Sequence, residues 1–258
     1  MIKNYFKIAF RNLWKRKIFS LINIAGLAIG ISASLIIYLI VQFDLSFDKQ
    51  HKDGERIYRV VSESSSNGEL YKTAGVPLPM FEAIKNEVSG IELSAPLITK
   101  SSNIQVSGPV DKARPFTYYR QFIYTDNNYF KLFNYEWIEG SLATSLDKPF
   151  QTVLTKERAM VYFPQVKMKD IIGRQLIFDD TVLTTITGIV NGLKGNTDFT
   201  FTEFISLSTL SSNADIKRRE GWYEWGGVSS GEQLLIKLLP NMPCKKMELL
   251  LTDLLRGC

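Results

Sequence analysis

The chain has 258 residues, with 31 Lys and Arg against 26 Asp and Glu, one histidine and two cysteines. Its net charge of +5 is concentrated at one end. Lys3, Lys7, Arg11, Lys15, Arg16 and Lys17 all precede the first acidic residue, Asp44, and the rest of the chain is close to neutral. A basic excess confined to a short tail argues against nucleic-acid binding, a lone histidine argues against a metal cluster, and the absence of G-x-x-x-x-G-K-[ST] argues against an intrinsic ATPase.

Residues 1–17 read as a basic amphipathic helix. Ile2, Phe6, Phe10, Leu13 and Trp14 recur at helical spacing, while Lys3, Lys7, Arg11 and Lys15 form a cationic stripe. With Arg16 and Lys17 this pattern suits a helix lying on the inner leaflet, its cations at anionic headgroups. The uncharged run Ile18–Val41 comes next. As a helix it spans roughly 36 Å, enough to cross a hydrocarbon core of about 30 Å, and the membrane segment is placed at residues 18–43. Its apolar part is too long for a signal-peptide core and lacks a small-residue cleavage site. The preceding cations place the amino end in the cytoplasm and residues 44–258 outside. Gly26, Gly30 and Ser34 fall on one helix face, a spacing that lets another helix approach closely.

Beyond the span, Arg56–Val61 alternates as a strand and Ser62–Glu69 reads as a polar loop. Pro77–Val88 carries Met80, Phe81, Ile84 and Val88 at helical spacing. Residues 91–106 are strand material broken by Pro96, residues 116–124 an aromatic-rich strand, and 127–133 a short helix. Val153 and Leu154 form a strand. Thr155 then caps a helix containing Ala159, Met160 and Phe163 and ended by Pro164, with Glu157 and Arg158 facing water. Residues 173–178 and 182–190 form a hairpin across Asp179 and Asp180, residues 199–210 and 233–239 are strands, and 244–255 is an amphipathic helix. The expected class is α+β: one membrane helix, then a mixed α/β domain.

Arg11-Asn12-Leu13-Trp14 with Lys17, and then Ser20-Leu21-Ile22-Asn23-Ile24-Ala25-Gly26-Leu27-Ala28-Ile29-Gly30, resembles the start of MacB-type, FtsX-like ABC transporter permeases. Leu45-Ser46-Phe47-Asp48 with His51 and Glu55–Val60 is similar to the segment just after the first helix in such permeases of Bacteroidota. Val153-Leu154-Thr155, Ala159, Tyr162-Phe163, Ile172-Gly173-Arg174 and Thr187-Gly188-Ile189-Val190 resemble the MacB-like periplasmic core domain. The resemblance implies a two-lobed α/β periplasmic domain in an inner-membrane permease, without enzymatic activity of its own. The implied partners are a cytoplasmic ABC ATPase, a second permease copy or half, and a periplasmic adaptor; membrane lipid is added by the basic helix. Such permeases carry further spans after the domain. Residues 244–255 are too short and too charged to be one, so the chain is expected to be the front part of a longer permease or a truncated product. The alternative is a single-pass anchored sensor or binding domain.

Other motifs are weak. Gly227-Val228-Ser229-Ser230-Gly231 matches G-x-S-x-G, but the only histidine, His51, precedes the serine, against the order of the α/β-hydrolase elbow. Asp179-Asp180 and Asp44/Asp48 read as a solvated turn and a membrane-proximal cap. Trp222, Tyr223 and Trp225 beside Lys217-Arg218-Arg219 form either an exposed partner-contacting patch or core aromatics next to a charge run. Cys244 and Cys258 are expected to be free thiols. No metal or cofactor is expected.

Overall fold

The computed structural model describes residues 2–66, 68–106 and 119–256. The chain divides into two compact units, Met1–Lys49 and Gln50–Cys258. The first is helical: α1 (Ile2–Lys15) and α2 (Lys17–Asp44) are separated at Arg16, whose backbone leaves the helical region. No residue of α2 is buried. A helix of 28 residues, charged only at its terminal Lys17 and Asp44 and with its apolar surface exposed, has the length and composition of a membrane span.

The second unit is built on one nine-stranded sheet. Its elements in chain order are β1 (Ile57–Val60), the hairpin β2 (Ser62–Ser66) and β3 (Glu69–Thr73), α3 (Met80–Glu87), β4 (Ile91–Val106), β5 (Tyr119–Thr125), α4 (Asn127–Phe133), β6 (Trp137–Glu139), β7 (Gln151–Thr155), α5 (Lys156–Tyr162), β8 (Gln175–Phe178), β9 (Val182–Val190), β10 (Glu203–Ser206), α6 (Ala214–Arg219), β11 (Glu232–Leu238) and α7 (Cys244–Arg256). The main sheet runs β1-β11-β4-β5-β10-β7-β9-β6. Since β8 pairs with both β9 and β4, six strands close into a circuit. Pairing is parallel at β5/β10 and β7/β9 and antiparallel elsewhere.

Side chains alternate across a strand, and the sheet uses both faces. Ile98, Phe122, Tyr124, Leu154, Ile205, Leu234 and Ile236 enter one core, with Met80, Phe81 and Ile84 of α3, Ala159 and Tyr162 of α5 and Met247 of α7. Their neighbours Leu97, Ile123, Val153, Phe204 and Leu235 enter a second core, covered by Tyr129, Phe130, Leu132 and Phe133 of α4. The two cores share one sheet, because the 16 residues of β4 run through both.

Four local expectations need correction. The polar loop 62–69 is instead the β2–β3 hairpin, a two-stranded sheet apart from the main one, turned at Gly68 with φ +83°. Pro96 does not break β4. It sits in register between Leu234 of β11 and the β5 ladder, and its carbonyl accepts the Thr125 hydroxyl at 2.6 Å. Arg158 does not face water but is buried, while Met160 is exposed. The strand at 199–210 is confined to Glu203–Ser206, flanked by irregular chain and a 3₁₀ turn. Residues 116–118 of the aromatic strand lie outside the described residues, and Tyr119–Thr125 is β5. Asp179 and Asp180 both take positive φ, with the Thr181 amide bonded to the Phe178 carbonyl, so this pair is the hairpin turn expected of it.

Candidate functional site

The helical unit exposes a basic face. Lys7, Arg11, Lys15, Arg16 and Lys17 are exposed, as are Ile8, Phe10, Leu13 and Trp14; the side chain of Lys3 lies outside the described residues. Phe10 and Trp14 rings stand 5.8 Å apart, and the Lys17 ammonium lies 5.3 Å from the Trp14 ring. The Ser20 hydroxyl donates to the Leu13 carbonyl at 3.1 Å, bridging the break at Arg16. A Cβ on Gly26 or Gly30 would meet nothing within 4 Å, and Ser34 is exposed, so this face is open along the span.

The first residues of the second unit are fastened by aromatic contacts. Gln50 donates to the Asn196 carbonyl at 3.3 Å. The His51 ring stands edge-on to Phe133 at 4.8 Å, Phe133 contacts Phe199 at 4.5 Å, and the Arg59 guanidinium lies 6.0 Å from the Phe199 ring. The segment after α2 is thereby attached both to α4 and to the loop between β9 and β10. That loop borders a groove of about 530 Å³ lined by Glu157, Leu193, Lys194, Phe199 and Phe201. Thr155, Thr197, Thr200, Thr202 and Asn191 also line it, so the groove combines one carboxylate and one ammonium with hydroxyls and two aromatic rings. The aromatic contacts were not legible in sequence: Phe199 and Phe201 read as strand alternation, and a lone histidine signals no partner.

Beneath this groove lies a buried polar cluster. The Arg158 guanidinium meets the Glu203 carboxylate at 2.8 Å, Tyr162 donates to the same oxygen at 2.6 Å, and the Thr202 hydroxyl donates to the other. Glu203 is fully buried and Arg158 nearly so. A buried pair with this many hydrogen bonds is satisfied internally, and it fastens α5 to β10. A second cleft, of about 390 Å³, holds Glu82, Lys85, Asp126, Asp147 and Trp222. Burial pushes the Asp126 carboxyl up, opposed by Lys85 at 3.4 Å.

The aromatic cluster separates on folding. Trp222 is buried and donates through Nε1 to Glu82 at 3.4 Å, and Trp225 packs against the core. Only Tyr223 is exposed, under the Lys217 ammonium at 5.9 Å. Of the three, Trp222 is thus buried, Trp225 half-buried and Tyr223 exposed. Ser229 is exposed in a loop, its hydroxyl accepting the Gly231 amide at 3.3 Å, while His51 is occupied in aromatic packing on another element. Among the described residues no group of three or more His, Cys, Asp or Glu is arranged to hold a metal. Cys244 is a free thiol, and Cys258 lies outside the described residues.

The fold has solved counterparts. A domain of a protein designated a permease from Porphyromonas gingivalis superposes with a TM-score of 0.65 at 16% identity, covering 81% of this chain and 84% of that one. The periplasmic region of MacB from Actinobacillus actinomycetemcomitans superposes with a TM-score of 0.52 at 14% identity, covering 78% and 83%. At these identities the likeness is one of fold. A search of curated proteins finds no match. The family model described as the MacB-like periplasmic core domain matches residues 20–241, taking in most of α2 and nearly all of the second unit. The chain belongs to the MacB-like periplasmic core domain family.

Proposed function

We propose that this chain is the amino-terminal part of an ABC transporter permease, acting with a separate ATPase to export a substrate across the inner membrane or extract one from it. The observation that carries this reading is the single family match that joins a helix of membrane-spanning length to the periplasmic core domain. In this reading α1 lies on the cytoplasmic leaflet with Lys3, Lys7, Arg11, Lys15, Arg16 and Lys17 at anionic headgroups. The span α2 packs through Gly26, Gly30 and Ser34 against other helices of the permease or of a second copy. The domain beyond Gln50 lies in the periplasm and passes conformational change between the membrane and a substrate or adaptor, and Tyr223 is the member of the aromatic cluster available to such a partner. ATP hydrolysis belongs to the partner subunit, since this sequence lacks a phosphate-binding loop.

The test is to purify the natural protein from membranes, determine its intact mass and assay the preparation for ATPase activity. The permease reading expects a mass well above that of 258 residues, or co-purified further spans, together with ATP hydrolysis that disappears when the chain is deleted. A protein of this mass alone, with no associated ATPase, would favour an anchored binding domain.

A further inference from the structure

Four charged side chains close a ring where three strands meet. Asp53 and Arg56 lie just before β1, Glu92 near the start of β4, and Lys237 near the end of β11. Arg56 contacts Asp53 at 2.9 Å and Glu92 at 2.6 Å; Lys237 contacts Asp53 at 2.9 Å and Glu92 at 3.1 Å. Acid and base alternate round the ring, so it carries no net charge. Lys237 is only 12% exposed and Arg56 21%. Arg56 also donates to the Leu238 carbonyl at 2.7 Å.

The backbone is shaped to make this ring. Asp53 takes a left-handed conformation, φ 59°, before the turn Gly54–Arg56. On β4 the register with β11 steps from Leu93 opposite Lys237 to Ile91 opposite Leu238, which leaves Glu92 as the extra residue of a β-bulge. A bulge re-aims a side chain out of the regular alternation, and here it lets Glu92 reach both bases. Hydrogen bonds from Lys237 and from Arg56 hold the Asp53 and Glu92 carboxyls, respectively, below the usual carboxylate range.

The ring joins the two places where the chain passes into and out of the sheet. Asp53 and Arg56 belong to the segment arriving from α2, and Lys237 and Leu238 to the strand leaving toward α7. We propose that the Asp53–Arg56–Glu92–Lys237 ring is a lock that makes the arriving and leaving segments one cooperative unit, opening and closing together. Its use in transport rests on the permease reading; the lock itself does not.

The experiment is hydrogen exchange on the full chain in lipid nanodiscs, for Glu92→Gln, Lys237→Met, their combination and Lys237→Arg. Glu92 is on a strand that does not pair with β1, so a merely local role for it would leave β1 unchanged. The lock predicts that each neutral variant speeds exchange by roughly three- to ten-fold both at 57–60 and at 238–242, with α4 and β7 unchanged. It predicts that the double variant is no faster than the single ones, because either change already opens the ring, and that Lys237→Arg keeps most of the protection. Additive effects, or effects confined to the substituted strand, would overturn the lock. So would uniform acceleration in the neutral variants while Lys237→Arg stays folded and equally fast. If the lock holds while no ATPase is found with the chain, the transport reading fails and the lock stands.

Discussion

Glu203 illustrates how a residue can be invisible to pattern and central to the fold. It sits on the short strand β10 with Phe204 and Ile205, fully buried, and is held by Arg158, Tyr162 and Thr202. Removing one member of such a pair leaves the other charge buried and unpaired. Glu203→Ala is therefore expected to cost about 3–5 kcal/mol, measured by denaturant unfolding; a cost under about 1 kcal/mol would mean the cluster is solvated. Helical spacing alone put Arg158 beside Glu157 on the outer side of α5, since nothing in the sequence pairs it with a residue 45 positions later. The same holds for Trp222. Its indole hydrogen bond to Glu82 and its burial explain why Trp222→Ala should destabilise by about 3–5 kcal/mol, whereas Tyr223→Ala, on an exposed ring, should change unfolding by under about 0.5 kcal/mol.

Elements with strong periodicity were legible. The run of α2, the apolar face of α3, the hairpin β8–β9 across two aspartates and the amphipathic α7 all arise from spacing and turn residues. The failures have identifiable causes. Serine-rich β2 has little strand propensity and is held by its ladder with β3. Pro96 stands in β4 opposite Leu234 and one residue outside the β5 ladder, which begins at Leu97 opposite Thr125, and its carbonyl accepts the Thr125 hydroxyl. The link from β3 back to the core depends on close approach: a Cβ on Gly75 would stand 1.9 Å from the Ser229 carbonyl oxygen. Gly75→Ala must displace backbone and should cost about 1–3 kcal/mol, seen as a lower Tm. The charge ring gives a pH signature. Asp53 and Glu92 are held below their ordinary values, so their contribution is full above about pH 4, the ordinary carboxylate range, and is lost as pH falls through the lower folded values. Protection at 57–60, taken relative to the intrinsic exchange rate at each pH, should fall there in the natural protein and be flatter with pH in Glu92→Gln.

At the scale of the whole molecule, an apolar helix with no buried residue and a domain with two filled cores divide the work between membrane and water. The family match and the fold likeness place the second unit among periplasmic core domains, while the proposed orientation rests on the six cations ahead of the uncharged run Ile18–Val41. The most direct measurement is labelling by a membrane-impermeant maleimide in spheroplasts, with Cys244 and Cys258 replaced by serine and a single cysteine introduced as Tyr5→Cys on α1 or Tyr223→Cys in the domain. Both positions are exposed, at 68% and 66%. With the amino end cytoplasmic, the Tyr223→Cys protein reacts in intact spheroplasts and the Tyr5→Cys protein only after the membrane is opened. Reaction of the Tyr5→Cys protein from outside, with the Tyr223→Cys protein protected, would reverse this orientation.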